Sequence, residues 1–582
     1  MFISSLFLAT LALSTVLAVP SPLFASKKLS KRCTNSATDR SCWGDYDIST
    51  NYYETVPDTG VTREYWFDIQ NDTAAPDGVE RLVLTVNGSF PGPTIIADWG
   101  DTVVVHVTNS MENNGTSIHF HGVRQNYTNQ MDGVASVSQC PIAPGDSFTY
   151  TWRATQYGSS WYHSHFYVQA WDGILGGIII NGPATANYDE DLGNLFLNDW
   201  SHQTADQLAV QAGSTGPPTF DNCLINGTNV YDDSGTRFST TFGAGTSYRL
   251  RLVNGAADTH FKFSIDNHTL QVIATDFVPI VPYNTTMVSI GMGQRYDVIV
   301  NADQADGDYW MRAIPQETCS DNDNVDNILG IVRYDSSSTA DPTTTAYTSS
   351  DSCDDEDIST LVPYLSYQVG TTYSVEDEFT ATLAGGAGTI KWEMGSTSFV
   401  SEWDYPTVLQ VAEGNDTWSS EQNVVELPTA NEWVYFIIET TFAQAHPIHL
   451  HGHDFWVLAQ GTGTYDSSTV TLTTTDSPRR DVAMLPGSGY LVLAYITDNP
   501  GVSVSLSLGV ERFEEHEANY QIQAWLMHCH IAWHTSEGFA LQLLERESEM
   551  TALMDVTNIN STCSNWNTYT AEDDVVQDDS GV

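Results

Sequence analysis

The stretch WVYFIIETTFAQAHPIHLHGHDF, residues 433–455, combines two patterns that decide how the chain is interpreted. Apart from Glu439, its first ten residues are apolar, aromatic or β-branched, which is typical of a buried strand. Histidines follow at 446, 449, 451 and 453, directly after that strand. The stretch therefore predicts a group of histidines carried by a rigid β-scaffold.

This order of strand and histidines recurs as an internal repeat. TVVVHVTN leads to IHFHG at 118–122, and SYRLRLVNG leads to THFKFS at 259–264. Later in each unit comes a tryptophan strand: WYHSH at 161–165, YWMRA at 309–313 and WLMHCH at 525–530. Three copies of one β-domain explain the repeat, and the middle copy lacks the histidine pairs.

The remaining sequence also favours an all-β fold. Short runs of Val, Ile, Thr, Tyr and Trp alternate with Gly, Pro, Asn and Asp, as in β-sandwiches and barrels. The NGPA turn near Ala184 and the polar stretch 336–357 separate the copies. The predicted domains are 33–184, 185–345 and 346–582.

The N-terminal residues resemble a secretion signal. Residues 2–18 form an apolar run too short to span a bilayer comfortably, and KLSKR ends at Arg32 as a dibasic cleavage site. Residues 1–32 are therefore predicted to be a signal peptide and propeptide of an extracellular protein without a membrane anchor. Glycosylation sequons agree with secretion, and they start at Asn71, Asn87, Asn114, Asn126, Asn226, Asn267, Asn284, Asn415 and Asn560.

The formal charge of −52 argues against nucleic acid and anionic membranes as partners. Such a charge suits a protein that works in acid, where many carboxylates are protonated. Simple surface solubility explains most of these charges equally well.

The eight cysteines should mostly pair in an oxidising compartment. Cys529 is reserved for chemistry by its histidine neighbours, which leaves one further unpaired thiol, predicted to be Cys223. The predicted disulfides are Cys33–Cys42, Cys319–Cys353 and Cys140–Cys563.

The arrangement HCH has a geometric consequence, because strand side chains alternate between two faces. His528 and His530 should point to one side and Cys529 to the other, so a few covalent bonds would join two metal centres. The donors form two sets: Cys529 with His446 and His534, and the pairs His119/His121, His163/His165, His449/His451 and His528/His530.

These sets indicate copper. One thiolate with two imidazoles is the ligand set of blue copper, and eight imidazoles can hold several further ions. A single pair would be explained by a structural histidine or by zinc, but zinc enzymes use three ligands and an open position. The other histidines are interpreted as structural: His106, His202, His260, His268, His453 and His516.

The motifs HFHG, WYHSH, HPIHLHGHDF and HCHIAWHTSEGF resemble, in order, the four copper signatures of the multicopper oxidases. FPGPTIIADWGD, SQCPIAPG, RRDVAMLP and DSGV are similar to segments of ascomycete-type fungal laccases. The resemblance covers essentially everything after Cys33 and implies three cupredoxin-like domains. The trinuclear copper cluster would lie between the first and third.

The resemblance also implies four copper ions and their ligands. Type 1 copper would be held by His446, Cys529 and His534, and type 2 copper by His119 and His449. The type 3 pair would take His121, His163, His165, His451, His528 and His530.

The implied activity is that of a secreted, monomeric laccase. Phenolic donors would lose one electron at a time, and O₂ would be reduced to two waters. The alternatives are a ferroxidase, an oxidase of ascorbate or bilirubin, and a copper-storage protein without turnover. Lignin, pigment and detoxification substrates all remain open.

Four residues are predicted to assist the copper sites by the same resemblance. Phe539, ten residues after Cys529, replaces an axial thioether and should raise the type 1 potential. Asp258 is the predicted acceptor of the phenol proton, with an effect expected at acid pH. Asp132 and Asp498 are predicted to relay protons to reduced oxygen.

Two segments carry separate predictions. The tail AEDDVVQDDSGV, 571–582, is expected to enter the channel that leads to the trinuclear cluster. Val502–Gln523 departs from the resemblance and is interpreted as a retained intron, with a genuine surface loop as the alternative. Its removal keeps the reading frame and joins NPG to AWLMHCH.

Overall fold

A computed structural model describes residues 33–385, 389–499, 523–545, 556–573, 575, 577 and 579–582. The predicted signal peptide and propeptide, 1–32, lie outside the described residues, and so does Val502–Gln523 apart from its last residue. The architecture confirms the all-β prediction: three consecutive units each consist of two packed sheets.

The first unit carries a mixed pair of four-stranded sheets. Their orders are β4-β3-β6-β8 and β5-β10-β9-β7, and β1 and β2 form a separate ribbon. The strands are β1 (Cys42–Trp43), β2 (Tyr46–Asp47), β3 (Thr62–Ala74), β4 (Arg81–Val86), β5 (Gly92–Asp98), β6 (Thr102–Asn109), β7 (Ile118–Phe120), β8 (Ser147–Arg153), β9 (Gly158–Ser164) and β10 (Leu175–Asn181).

The second unit has a six-stranded and a five-stranded sheet. Their orders are β12-β11-β16-β21-β18-β19 and β15-β23-β22-β17-β20, with a small β13-β14 ribbon. The strands are β11 (Glu190–Trp200), β12 (Asn222–Ile225), β13 (Val230–Tyr231), β14 (Ser234–Gly235), β15 (Ser239–Thr241), β16 (Ser247–Asn254), β17 (Phe261–Ile265), β18 (Leu270–Thr275), β19 (Val278–Thr285), β20 (Val288–Ile290), β21 (Arg295–Asn301), β22 (Asp308–Pro315) and β23 (Leu329–Arg333).

The third unit repeats the design of the second. Its sheets have the orders β25-β24-β27-β32-β29-β30 and β26-β34-β33-β28-β31. The strands are β24 (Val375–Ala384), β25 (Lys391–Met394), β26 (Val424–Leu427), β27 (Trp433–Thr440), β28 (His446–Leu450), β29 (Phe455–Thr462), β30 (Arg479–Arg480), β31 (Val482–Leu485), β32 (Gly489–Ile496), β33 (Gln523–Cys529) and β34 (Ala540–Glu545).

Helices are few among the described residues. No helix within the described ranges combines the length and apolar character needed to cross a lipid bilayer. The α-helices are α1 (Ala205–Thr215), α2 (Thr407–Ala412), α3 (Ala532–Ser536) and α4 (Thr557–Asp573), and short 3₁₀ turns occur at Asn129–Met131, Gln169–Asp172, Val325–Asn327 and Ser420–Gln422.

The cores explain how the units are joined. One apolar cluster runs continuously through the second and third units, and another fills the first. A third cluster packs Trp566 of α4 with Phe166 of the first unit and Trp403 of the third. Burial of apolar surface across these boundaries fixes the first and third units beside each other.

The disulfides agree with the sequence. Cys33–Cys42, Cys140–Cys563 and Cys319–Cys353 are bonded, while Cys223 and Cys529 are free and buried. The bond from Cys140 to Cys563 attaches α4 to the first unit. The three pairs of sheets span 62–181, 190–333 and 375–545, and the exact domain boundaries remain a prediction.

Candidate metal centres

Two buried groups of metal-ligating side chains occur, one inside the third unit and one where the first and third units meet. The first combines His446, Cys529 and His534, whose donor atoms all lie within 4.8 Å of one another. The second consists of eight histidines from the same two units. Both groups match the donor sets expected from the sequence.

The first group, the Cys529 group, is assembled from three neighbouring elements. His446 begins β28, Cys529 ends β33 and His534 lies in α3. The Cys529 Sγ atom is 3.8 Å from His446 Nδ1 and 3.5 Å from His534 Nδ1. The two Nδ1 atoms are 3.2 Å apart. Three donor atoms thus converge on one point, as a metal ion requires.

An apolar wall shields this group from water. The Phe539 ring lies 5.1 Å from the His446 ring, and the Trp392 ring lies 4.2 Å from that of His534. Burial lowers the pKa of His446 to about 3 and raises the pKa of the Cys529 thiol well above its usual value. The imidazoles are therefore neutral donors, and a cation in their midst would stabilise the thiolate.

The eight histidines form a single packed cluster. One histidine of each pair lies in a strand and the other directly after it or in the turn that follows. The strand members are His119 in β7, His163 in β9, His449 in β28 and His528 in β33, and the others are His121, His165, His451 and His530. The imidazoles pack edge to face or stacked, with the His121 and His449 rings 3.9 Å apart. Three groups place their donor atoms within 4.8 Å of one another: His119/His121/His449, His121/His163/His530 and His165/His451/His528.

Hydrogen bonds to main-chain carbonyls orient several of these rings. The Nδ1 atoms of His119, His449 and His163 lie 2.7, 2.8 and 2.9 Å from the carbonyl oxygens of Asp132, Asp481 and Ser164. Their Nε2 atoms are buried and have no hydrogen-bond partner among the described residues. Buried unpartnered nitrogens are costly, so this arrangement fits coordinated cations and not a bare protein core.

The low proton affinity of the cluster agrees with metal binding. Burial is the main cause, and it lowers the pKa of His528 to about 4. Burial also lowers the pKa values of His121, His163, His165, His449, His451 and His530 well below the usual value. Neutral imidazole is the form that ligates metals.

Strand β33 connects the two groups as its parity predicts. His528 and His530 belong to the histidine cluster, and Cys529 between them points the other way, towards His446 and His534. The Cys529 carbonyl oxygen is 2.8 Å from His528 Nδ1, which adds a hydrogen-bonded route beside the covalent one. Electrons therefore have a short, buried path from the thiol to the histidines.

Asp132 lies directly against the cluster. Its carboxylate oxygen Oδ2 is 2.9 Å from His451 Nδ1, and its carbonyl holds His119. Asp498 is different: its side chain is 34% exposed and Oδ1 accepts a 2.6 Å hydrogen bond from Arg124. The structure thus places Asp132 at the cluster and Asp498 at an exposed position beside Arg124.

Asp258 lies beside α3. It contacts Trp533, which directly precedes the ligand candidate His534 in the chain. Its Oδ2 accepts a 3.0 Å hydrogen bond from Trp533 Nε1, and its buried Oδ1 has no partner among the described residues. Burial raises the pKa of Asp258 to about 8. The base role of Asp258 stays a prediction, and its raised pKa moves the expected effect towards higher pH.

The sequence interpretation missed one buried ion pair. Arg295 forms two 2.5 Å hydrogen bonds to Asp481, whose Oδ1 is 3.3 Å from His121 Nε2. The segment RRDVAMLP contains this aspartate and was noted only for its resemblance. Asp481 lies between Arg480 and Val482, at the break between β30 and β31, so no local pattern in the sequence marks it.

The C-terminal tail reaches the histidine cluster, as predicted. Val582 is 2% exposed and borders a cavity of about 20 Å³ together with four ligand candidates, His163, His165, His528 and His530. Ser580 fixes the tail, because its hydroxyl donates to the Thr535 carbonyl at 2.8 Å. The tail closes this side of the cluster.

Three family models described as multicopper oxidase match residues 68–185, 192–337 and 400–549. The chain belongs to the multicopper oxidase family. The three matches correspond to the three units of sheets, so the cupredoxin-like fold and the copper-dependent oxidoreductase chemistry apply to this protein.

Individual relatives agree over nearly the full length. Laccase-2 of Botryotinia fuckeliana is 48% identical over 583 residues, covering 97% of this chain and 96% of that protein. Laccase-1 of the same fungus is 49% identical and covers 98% of both chains. The solved laccase from Botrytis aclada has a TM-score of 0.88 and 47% identity, covering 94% of this chain and 100% of that one.

A relative with a role in iron import is more distant. Fet3p, described as a multicopper oxidase that functions in iron import, has a TM-score of 0.75 and 25% identity, covering 87% of this chain and 95% of that one. This multicopper oxidase is thus more similar to laccases than to that protein.

Proposed function

We propose that this multicopper oxidase is a laccase, which oxidises phenolic donors one electron at a time and reduces O₂ to two waters. The observation that carries the proposal is the buried Cys529 group joined by β33 to the eight-histidine cluster. Identities of 48% and 49% to two laccases favour this activity over that of other family members. A storage protein would need no such connection between two different sites.

Four copper ions are the proposed cofactors. Their chemistry when bound is to take up single electrons and deliver four of them to O₂. The buried, unpartnered imidazole nitrogens support this loading. His446, Cys529 and His534, which lie together, would hold type 1. His119 and His449 would hold type 2, and the type 3 pair would be held by His121, His163, His165, His451, His528 and His530.

Three aspartates of the protein accept and deliver the protons of the reaction. Asp258, with a buried and unpartnered carboxylate oxygen, accepts the phenol proton beside the Cys529 group. Asp132, in contact with His451, delivers protons to the oxygen side, and Asp498 receives them from solvent at its exposed position. Phe539 excludes water and an axial donor from the type 1 site.

The same assignment implies where the enzyme is located, its oligomeric state and its partners. The protein is secreted after removal of residues 1–32 and works as a monomer on small phenols, without nucleic acid or membrane partners. The formal charge of −52 and the three disulfides support an extracellular location.

Steady-state kinetics with three reductants tests this function. Purified, copper-loaded protein is assayed with a dimethoxyphenol, ferrous iron and ascorbate, while oxygen uptake is followed for each. We expect kcat/KM to be highest for the phenol. A higher value for ferrous iron would assign a ferroxidase, and a higher value for ascorbate would assign that oxidase.

A further inference from the structure

The middle unit carries no ligand pair, yet it reaches the histidine cluster through one loop and one strand. Gly293, at the turn before β21, lies against two ligand candidates: a Cβ atom there would be 3.0 Å from His530 and 3.1 Å from His121. Its φ of +81° also favours glycine. The backbone of the middle unit is therefore packed directly on the cluster.

Two residues further on, Arg295 extends this contact into the third unit. Its side chain is 0% exposed and donates through Nη1 and Nη2 to the two carboxylate oxygens of Asp481, each at 2.5 Å. Such a bidentate fork fixes the plane of the carboxylate as well as its position. Asp481 is thus held by a residue of a different unit.

Other contacts immobilise the fork itself. Arg295 Nη1 also donates to the Gly293 carbonyl at 3.1 Å. The carboxylate of Asp276 accepts from the main-chain N–H groups of both Arg295 and Asp481, at 3.0 and 3.1 Å. A Cβ atom on Gly122 of the first unit would overlap the fork, so all three units meet there.

Asp481, held in this position, contacts two histidines of the cluster. Its carbonyl oxygen is 2.8 Å from His449 Nδ1, and its Oδ1 is 3.3 Å from His121 Nε2. The carbonyl contact occupies His449 Nδ1 and leaves His449 Nε2 without a partner among the described residues. Asp481 Oδ1 lies against the His121 ring without a hydrogen bond, so both ring nitrogens of His121 lack a hydrogen-bond partner among the described residues. The two rings are nearly parallel, with an interplanar angle of 10°.

We propose that Arg295 is a positioning residue for the type 2 copper: through Asp481 it orients His449 and so determines how tightly that ion is held. The middle unit, having no ligands, thereby acts as the template on which ligands of the other two units are aligned. The proposal rests on the proposed copper assignment, since His449 is its type 2 ligand.

The first test replaces the fork by a single charge. Arg295→Lys keeps the positive charge but can donate only as a point cation, so the carboxylate plane is released. We expect the type 2 signal in electron paramagnetic resonance to shift or disappear, and copper affinity at that site to fall about 10–100-fold. Type 1 absorbance should persist, because its ligands do not contact Asp481.

Arg312→Lys is the matched control. Arg312 also lies in the middle unit and forms a bidentate fork, with 2.8 Å hydrogen bonds to both carboxylate oxygens of Asp266. Its loss should lower thermal stability without changing the type 2 signal. An equal loss of type 2 copper in both variants would overturn the proposal, because general destabilisation would then explain it.

A second variant applies if Arg295→Lys does not accumulate. Asp276→Asn leaves the fork intact but weakens the anchor of Arg295 and Asp481, and the same selective change in type 2 copper is expected. An unaltered type 2 signal in the variant that folds would overturn the proposal. Wild-type protein without any type 2 signal would instead contradict the proposed function itself.

Discussion

At the scale of single residues, burial sets the chemistry more than charge does. The donors of both metal groups lie almost entirely out of water, and desolvation alone accounts for the neutral form of His446. Two neighbours that are not ligands, Phe539 and Asp258, are buried as completely. Their effects should therefore be visible in properties of the type 1 site itself.

Phe539→Met should lower the type 1 reduction potential. The phenyl ring lies 5.1 Å from His446 and has no lone pair to donate, whereas a thioether stabilises Cu(II) along the axis. Redox titration of the visible absorption band measures the change. Phe436→Met, in the buried core of β27, is the control and should leave the potential unaltered. An unchanged or higher potential for the first variant would contradict the expectation.

Asp258→Asn should remove a pH dependence from phenol oxidation. With a pKa of about 8, the fraction of carboxylate rises about tenfold per pH unit below that value. Wild-type kcat/KM for phenols should therefore rise with pH up to about 8, and the variant should lack this rise. A non-phenolic donor, which releases no proton, should give identical profiles for both proteins. Equal losses on both donors would count against the base role.

At the scale of elements, strand parity was the most informative feature of the sequence. The alternation of His528, Cys529 and His530 correctly separates the two metal groups, because the strand period of two is insensitive to tertiary context. The four histidine pairs were found in the same way. Local patterns were therefore sufficient for the ligand candidates and for the all-β fold.

Contacts between distant elements were beyond the sequence. Arg295 and Asp481 lie 186 positions apart, and neither has a local pattern that identifies its partner. Trp392 packs on His534 from β25, 142 positions away, for the same reason. The raised pKa of Asp258 was also beyond the sequence, since desolvation depends on burial that only the folded chain defines.

Deletion of Asp579–Val582 should affect oxygen reduction more than phenol binding. Val582 borders the cavity beside the histidine cluster, and Ser580 is hydrogen-bonded to Thr535 and Ser536 of α3. Without them, that side of the cluster is open to water. We expect a several-fold change in the KM for O₂ with an unaltered KM for phenol.

The control for the tail deletion is Asn565→Ala on α4. Its exposed side chain bonds Asp146 at 2.5 Å, away from the cluster, and its loss should change neither constant. Unchanged turnover and unchanged cluster spectra in the truncated protein would show that the tail has no functional role.

At the scale of the whole molecule, the three units divide the work. The first and third provide the ligands, and the middle unit supplies the contacts of Gly293 and Arg295. This division explains why the middle repeat lost its histidine pairs without losing its place in the fold. It also makes the cluster sensitive to any change that separates the units.

Val502–Gln523 bears on that alignment, because it lies in the chain directly before the strand that carries Cys529. The residues on its two sides are firmly fixed. Asn499 Nδ2 donates to the carbonyls of Arg124 and Gly452, each at 2.5 Å, and Ala524 exchanges hydrogen bonds of 3.0 and 3.3 Å with Asn129. Both sides are thus attached to one short segment of the first unit.

A chain without Val502–Gln523 should therefore fold and work normally. Arg124 and Asn129 can be at most about 18 Å apart, and two intervening residues let Asn499 and Ala524 separate by about 11 Å. When residues 124–129 are moderately curved, Arg124 and Asn129 are close enough for the direct link. Asn499 and Ala524 then both keep their hydrogen bonds to the first unit. We expect the shortened protein to be secreted with unchanged type 1 absorbance, type 2 signal and thermal midpoint.

The retained-intron hypothesis makes the stronger prediction that transcripts lack these 22 codons. Sequencing cDNA across Pro500–Trp525 measures this directly, and both forms of the protein can be expressed side by side. His516 then has no part in metal binding. A transcript that keeps all these codons and yields an active secreted enzyme would refute the hypothesis and establish a genuine loop, which chains tolerate at small entropic cost. Loss of copper from the shortened form alone would lead to the same conclusion, because the segment would then be needed to hold β33 in register.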